Sequence, residues 1–212
     1  VTPETEWLDG FPVLAWQLDR PWLAISSAVL GGGLGERDWV LNATVPTGYD
    51  RTDPEVHCAQ MAERIGLSGN GTALLTAVDV RHAVLSEGAG VSVTATTGVG
   101  QPLWAASAEP PVWLPPPGTI NVVGWLPVRL TEGALVNAVA TVAEAKAQAL
   151  VQAGIEGTGT CTDATVLLCP ADGHAERYGG PRSLIGSALA QAVHTAISTG
   201  LRLTAGEARF GS

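Results

Sequence analysis

Charge is scarce in this chain, and positive charge scarcer still. Only 15% of the 212 residues are charged, 11 basic against 20 acidic, for a formal charge of −9. Nucleic acid and anionic lipid both need a basic face, so neither is expected as a partner, and an acidic polymer is disfavoured as substrate. Long apolar runs are also missing. None approaches the roughly 18–20 residues that span a bilayer, so no membrane insertion is expected. Val1 to Asp9 carries no basic stretch followed by an apolar one, so no secretory leader is expected, and the absence of an initial Met suggests a processed or trimmed start. The three cysteines, 58, 161 and 169, form neither a CxxC pair nor an even framework, which points to a reducing compartment. The four histidines, 57, 82, 174 and 194, show no HxH or HxxxH spacing. No resident metal is expected; were one present, Asp50, Asp53 and His57 would be the ligands to seek. There is no internal repeat.

Apolar residues make up 46% of the chain, so it is globular, and its length fits one domain spanning 1–212. Seven of its eleven aromatics are Trp: 7, 16, 22, 39, 104, 113 and 125. They read first as core and hairpin packing and second as an apolar floor for a large flat ligand. Val13–Leu18 and Trp22–Ser27, separated by Asp19-Arg20-Pro21, read as a hairpin. Trp39–Val45, Thr72–Val80, Val91–Thr97, Thr119–Leu126 and Ala164–Cys169 read as further strands, with Val91–Thr97 alternating as if half-buried. Asp53-Pro54-Glu55 opens a helix that runs to about Ile65, with Asp53 as its cap. Glu132–Ala153 is the longest helix, ended by Gly154, and Ser183–Ser198 is the last. The proline-rich stretch from Gln101 to Gly118 reads as a long binding loop. Strands and helices mix without strict alternation. The fold class expected is α+β, a layered sandwich of mostly antiparallel sheets and helices.

Gly157-Thr158-Gly159-Thr160-Cys161-Thr162-Asp163 places three hydroxyls and a carboxylate within seven residues, just before a strand. That density suits an active-site loop. Asp163 reads either as a general base or as a cap on the turn's backbone N–H groups. The threonines are weak nucleophiles unless a base activates them. On the long helix, Leu135, Ala138, Val139, Val142 and Leu150 share one face, and Lys146 falls within that stripe. It must snorkel or meet a counter-charge. Glu144 falls on the opposite face with Asn137, Thr141 and Gln148. For it to matter, another layer or a second subunit of a homo-oligomer would have to cover it. Asn121 sits on an otherwise apolar strand face and reads as a structural amide or as a donor to an oxyanion. Ser26 and Ser27 lead into Gly31-Gly32-Gly33-Leu34-Gly35, which matches neither the P-loop nor the dinucleotide fingerprint, so nucleotide hydrolysis drops out. His194 reads as solvent-facing, His57 as a cap or packing group, and Cys169 as packing.

In order and spacing these segments resemble the adenosylcobinamide amidohydrolase family. The stretches that carry the resemblance are Ser26–Gly33, Gly118–Asn121, Ala134–Ala138, Glu144–Leu150, Thr158–Ala164 and Glu176–Pro181. Two departures stand out: the family often has Asn where Gly31 or Gly32 stands, and a small residue where Cys161 stands. The resemblance implies corrinoid salvage in the cytoplasm. The amide joining aminopropanol to the corrin propionate would be hydrolysed, and adenosylcobyric acid and 1-aminopropan-2-ol would leave. It implies no cofactor; the cobalt belongs to the substrate. It also implies, at the level of fold alone, a likeness to αββα-sandwich amidases.

On this reading Asp163, Thr160, Asn121 and Lys146 are the expected catalytic group. Asp163 would activate water or Thr160, Asn121 would hold the oxyanion, and Lys146 would anchor Asp163 or protonate the amine. Ser26, Ser27, Asn42, Thr119, Glu144, Thr158, Gly159 and Trp113 are the expected substrate contacts. A corrinoid-binding module without catalysis, and a sandwich amidase or acyltransferase on a small peptide-like substrate, stay open as alternatives.

Overall fold

The computed structural model describes residues 1–108 and 118–210, with side chains as far as 203. Eight strands form one hydrogen-bonded sheet: β1 (Glu4–Leu8), β2 (Phe11–Ser26), β3 (Gly33–Thr44), β4 (Gly71–Thr76), β5 (Val84–Gly88), β6 (Val91–Thr97), β7 (Ile120–Trp125) and β8 (Ala164–Pro170). The spatial order is β4-β3-β2-β8-β7-β6-β5, with β1 beside the first half of β2. Among these eight strands, only β3–β4 and β7–β8 run parallel. The helices are α1 (Pro54–Arg64), α2 (Glu132–Gln152) and α3 (Leu184–Phe210). The fold is α+β, as the interleaving of elements suggested.

The sheet is continuous but not flat. The expected hairpin around Asp19-Arg20-Pro21 is instead the middle of the 16-residue strand β2. Its register against β3 jumps between Gln17 and Trp22, while β1 pairs with residues 11–15 and β8 with residues 22–26. Pro21, which has no N–H to give a ladder, therefore sits where none is required. This bulge lets the strand bend, and the two ends of the sheet come face to face. Asn42 of β3 thereby meets residues of β6 and β7, although two strands separate β3 from β7 in the sheet.

Three apolar cores follow from this folding. One lies between the two halves of the sheet and joins Leu14, Trp16, Val40 and Leu74 to Val123, Trp125, Val166 and Leu168. In it Trp125 packs edge-on to Trp22, with ring centroids 5.5 Å apart. A second packs Cys58, Met61 and Ala62 of α1 on Trp39, Leu41 and Ala43. A third packs α2 and α3 on the outer face of β6, β7 and β8. The layers thus run helix, strand, strand, helix. Every residue of β6 is buried, because helices cover one face and the other half of the sheet covers the second; it is not half-solvated as its alternation suggested. By length and composition α2 would cross a bilayer, but its apolar stripe is used up against the sheet and α3. Trp16, Trp39 and Trp125 are core residues, whereas Trp7 is exposed beneath the guanidinium of Arg81 and Trp104 is also exposed.

Local signals set the helix ends. Thr131 accepts from the backbone N of Ala134 and caps α2, and Gly154 ends that helix at φ +76°. Asp53 precedes α1 but makes no side-chain cap bond, because Arg51 holds both carboxylate oxygens at 2.9 and 2.8 Å. Gly66, at φ +77°, follows α1.

The two halves are pinned by an amide pair. Asn121 donates from Nδ2 to Asn42 Oδ1 at 2.9 Å and to the Leu75 carbonyl at 3.1 Å, and Asn42 donates to Thr96 Oγ1 at 3.3 Å. Both amides are buried. Replacing Asn121 with Leu would strip both of those acceptors of this donor, and each buried orphan costs about 1–3 kcal/mol. Asn121→Leu should lower the urea midpoint with an unchanged denaturant slope, read by circular dichroism.

Candidate active site

The parallel strands β7 and β8 begin side by side, Asn121 opposite Ala164. The Gly/Thr loop folds over these two ends, and Asp163 fastens it there. Oδ1 accepts from the backbone N of Ile120 at 2.9 Å, and Oδ2 accepts from the backbone N of Thr160 at 3.0 Å. The Thr160 hydroxyl lies 2.5 Å from Oδ1 and 2.9 Å from the Gly118 carbonyl, and with one proton it donates to one of them at a time. Lys146 reaches across from α2 and donates from Nζ to Oδ2 at 2.5 Å. The lysine within the apolar stripe therefore meets its counter-charge, with side chains only 16% and 12% exposed. Shielding from water strengthens such charge-assisted bonds and makes an unpaired member costly.

Gly159 explains why the loop alternates glycine with threonine. A Cβ there would stand 2.4 Å from Asp163 Oδ2 and 2.7 Å from Lys146 Nζ. Only glycine lets the ion pair lie against the loop backbone. The loop is also stitched to the root of the proline-rich segment: Leu103 N donates to Gly159 O and Thr158 N to Leu103 O, both at 2.9 Å, and Ala105 N donates to the Thr158 hydroxyl at 3.1 Å. Thr119 and Thr162 hydroxyls lie 2.6 Å apart, and Thr162 donates to Gly118 O at 3.1 Å.

A cleft of about 410 Å³ opens in front of this cluster. Gly118, Thr119, Thr162 and Asp163 form one wall; Ser27–Val29, Leu74–Ala77 and the stretch around Pro46, Tyr49 and Pro54 form the others. A larger cavity of about 890 Å³ lies between the end of α2, α3 and Gly98–Gly100. Its lining is mostly apolar, with His194 and Arg202 as its ionisable groups, so the carboxylate and hydroxyls mark the smaller cleft as the chemical one. Among the described residues, no three His, Cys, Asp or Glu side chains lie together as a metal-binding group.

The structure brings Asp163, Thr160, Lys146, Thr119, Thr158 and Gly159 into one cluster, with Ser27 on the cleft wall. It separates others from it. Asn121 and Asn42 are spent holding the two halves of the sheet together, so Asn121 has no N–H left for an oxyanion. Ser26 is buried, bonded to Thr72 Oγ1 at 2.8 Å and to the Ala28 N–H at 3.0 Å. Glu144 is exposed in a shallow groove between α2 and α3 with Gln148 and Gln191, as helical periodicity alone indicated. Trp113 lies outside the described residues. Gly31 turns the chain at φ +66° against the Gly71 carbonyl and offers its own carbonyl to Arg37, so it is a packing turn and not an anion cradle. His194 is half-buried and bonded to Gln152 at 2.6 Å instead of facing solvent.

Among the cysteines, burial pushes the Cys58 thiol up to about 12 and also raises that of Cys169; both are packing groups. Sequence reasoning missed Tyr49, which lines the cleft and bonds to His57. Its one signal was a polar cluster just before α1.

A carboxylate clasped by a lysine, one hydroxyl and two backbone N–H groups beside a cleft is an arrangement that could serve hydrolysis. Residues 4–209 match the family model described as adenosylcobinamide amidohydrolase, and the chain belongs to that family. It is accordingly an amidohydrolase, with adenosylcobinamide as the substrate of the family's activity. A protein named adenosylcobinamide amidohydrolase from Halobacterium salinarum is 32% identical, over 93% of this chain and 87% of its own length. One of the same name from Methanosarcina mazei is 29% identical, over 84% of this chain and 89% of its own. The crystal structure of the PH0078 protein from Pyrococcus horikoshii OT3 is similar at a TM-score of 0.45 and 14% identity, covering 95% of this chain and 79% of that one.

Three outcomes follow from the cluster. Asp163→Asn would have to set an NH₂ against the Ile120 N–H, at a cost of about 1–3 kcal/mol for the orphaned donor. Turnover should be lost while the far-ultraviolet spectrum stays native. Lys146→Met, which keeps the apolar stem, should lower turnover without unfolding the domain. Gly159→Ala should cost roughly 1–3 kcal/mol through overpacking, whereas Gly133→Ala, where a Cβ meets nothing within 4 Å, should cost nothing. Thermal melts of the pair check this.

Proposed function

We propose that the chain hydrolyses the amide linking aminopropanol to the corrin propionate of adenosylcobinamide, releasing adenosylcobyric acid and 1-aminopropan-2-ol for corrinoid salvage in the cytoplasm. The observation that carries this reading is Asp163, gripped by four donors yet lining the cleft, within a chain that matches the amidohydrolase family almost end to end. The cleft suits the aminopropanol arm. A corrin macrocycle with its axial adenosyl group is far bulkier and would rest outside, on the rim.

Asp163 acts as the base. All its lone pairs are engaged at rest, but the Thr160 hydroxyl has the Gly118 carbonyl within 2.9 Å as a second acceptor. When that hydroxyl swings to Gly118, Oδ1 is released to take a proton from water as the water attacks the amide carbon. Lys146 stays on Oδ2 and holds the carboxylate in position. The Thr119 hydroxyl, in the cleft wall, turns from Thr162 to donate to the oxyanion that develops on the carbonyl, while Thr162 keeps its bond to Gly118. The protein supplies no metal on this reading; the cobalt enters and leaves with the substrate.

Incubation with adenosylcobinamide should yield free aminopropanol by mass spectrometry, and the yield should survive a strong chelator followed by desalting. Binding without cleavage would favour a corrinoid-binding module. Activity restored only by added zinc or manganese would overturn the metal-free step.

A further inference from the structure

Hydrolysing an amide makes two demands on proton transfer. One group takes a proton as the C–O bond forms, and another gives one as the C–N bond breaks, because an amide anion is too poor a leaving group to depart bare. Asp163 meets the first demand. Lys146 does not meet the second: it is tied to Asp163 and is not among the residues lining the cleft.

Tyr49 is placed to meet it. It lines the same cleft from the segment joining β3 to α1, which belongs to the other half of the folded sheet from Asp163. Its Oη lies 2.9 Å from Nδ1 of His57, and the two rings stack at 5.6 Å with 16° between planes. Packing alone would account for the ring, which leans on the α1 core. It does not account for a phenol aligned with a histidine nitrogen at the edge of a reaction cleft. We propose that Tyr49, backed by His57, is the acid that protonates the departing amine. This rests on the amide-hydrolase reading above.

The step balances as follows. With its proton on Nδ1, His57 donates to the phenol oxygen, which leaves the Tyr49 O–H free to point into the cleft. As the C–N bond of the tetrahedral intermediate breaks, its electron pair goes to nitrogen, and nitrogen takes the phenol proton. The His57 N–H steadies the phenolate until solvent returns a proton. Asp163 gives the proton it took from water back to solvent, so amide and water become acid and amine.

The surroundings fit these charge states. Burial, chiefly, pushes the Tyr49 phenol above its ordinary range; Cys58, Asp53 and Glu55 add to this and Arg51 opposes it. Burial, chiefly, also holds His57 below its ordinary value, helped by Arg51 and Arg64 and opposed by Asp53 and Asp9. At neutral pH the phenol is therefore protonated and the imidazole neutral. An acid must carry its proton to work, so the rate should fall as pH rises through the elevated phenol pKa.

The test measures kcat and KM for adenosylcobinamide across pH in the wild-type chain and in Tyr49→Phe, which keeps the ring. Tyr49→Phe should lower kcat by about 10²–10⁴-fold, leave KM nearly unchanged and erase the alkaline fall. A p-nitrophenyl ester of the same corrinoid acid, whose phenolate leaves without protonation, should be cleaved by Tyr49→Phe at close to the wild-type rate. Equal losses on amide and ester, or full activity on the amide, would overturn the proposal. Should Tyr49→Phe fold poorly, 3-fluorotyrosine at position 49 serves instead. Its more acidic phenol should move the alkaline fall to lower pH, and an unmoved fall would count against the acid role. A wild-type chain that cleaves no corrinoid amide removes the hydrolase reading and this inference with it. Turnover undiminished in Tyr49→Phe removes the inference alone.

Discussion

Two buried amides hold a single sheet folded against itself, and the rest of the molecule depends on that closure. Asn42 and Asn121 come from strands that lie far apart in the sheet, and their side chains meet only because β2 bends at its bulge. Once the halves are face to face, the apolar sides of β3, β4, β7 and β8 have a common interior, and each outer side must be covered by helices. The cleft is a product of the same closure: Asp163 and Thr119 come from one half, Leu75 and Tyr49 from the other. The Asn121 bond to the Leu75 carbonyl makes the link direct, since Leu75 is part of the cleft wall.

Asp163 plays the corresponding part locally. One carboxylate ties a loop to two strand ends and to a helix through four donors. Such a group is held firmly in place, because its partners are mostly backbone and a half-buried lysine. The threonine beside it has two acceptors for one proton, the Asp163 carboxylate and the Gly118 carbonyl. Gly159, just before that threonine, is what space allows next to the Asp163–Lys146 pair.

Much of this was legible in the sequence where the signal was local. Helical periodicity located Lys146 in the buried stripe and Glu144 outside it, and both positions hold. The crowding of hydroxyls before β8 marked the loop that carries Asp163. Turn residues were less reliable guides: Asp19-Arg20-Pro21 has the composition of a hairpin turn, but the partners of β2 change from β1 to β8 at that point, so the strand runs on. Asn121 was visible as a polar intruder on an apolar face. Its partner Asn42 stands 79 residues earlier, and no spacing rule connects them.

The sequence by itself determined the class of the fold, the helix that supplies Lys146, the loop that supplies Asp163 and the family to which the chain belongs. These follow from backbone periodicity, turn chemistry and residue order, all of which act over a few neighbouring positions. Only the tertiary structure decided that Asn121 is a clamp and not an oxyanion donor, that Lys146 pairs with Asp163 without reaching the cleft, and that Tyr49, bonded to His57, lines its far wall. Those outcomes depend on which side of a bent sheet each strand end faces. The bend is set by long-range burial of apolar surface, which no local pattern encodes.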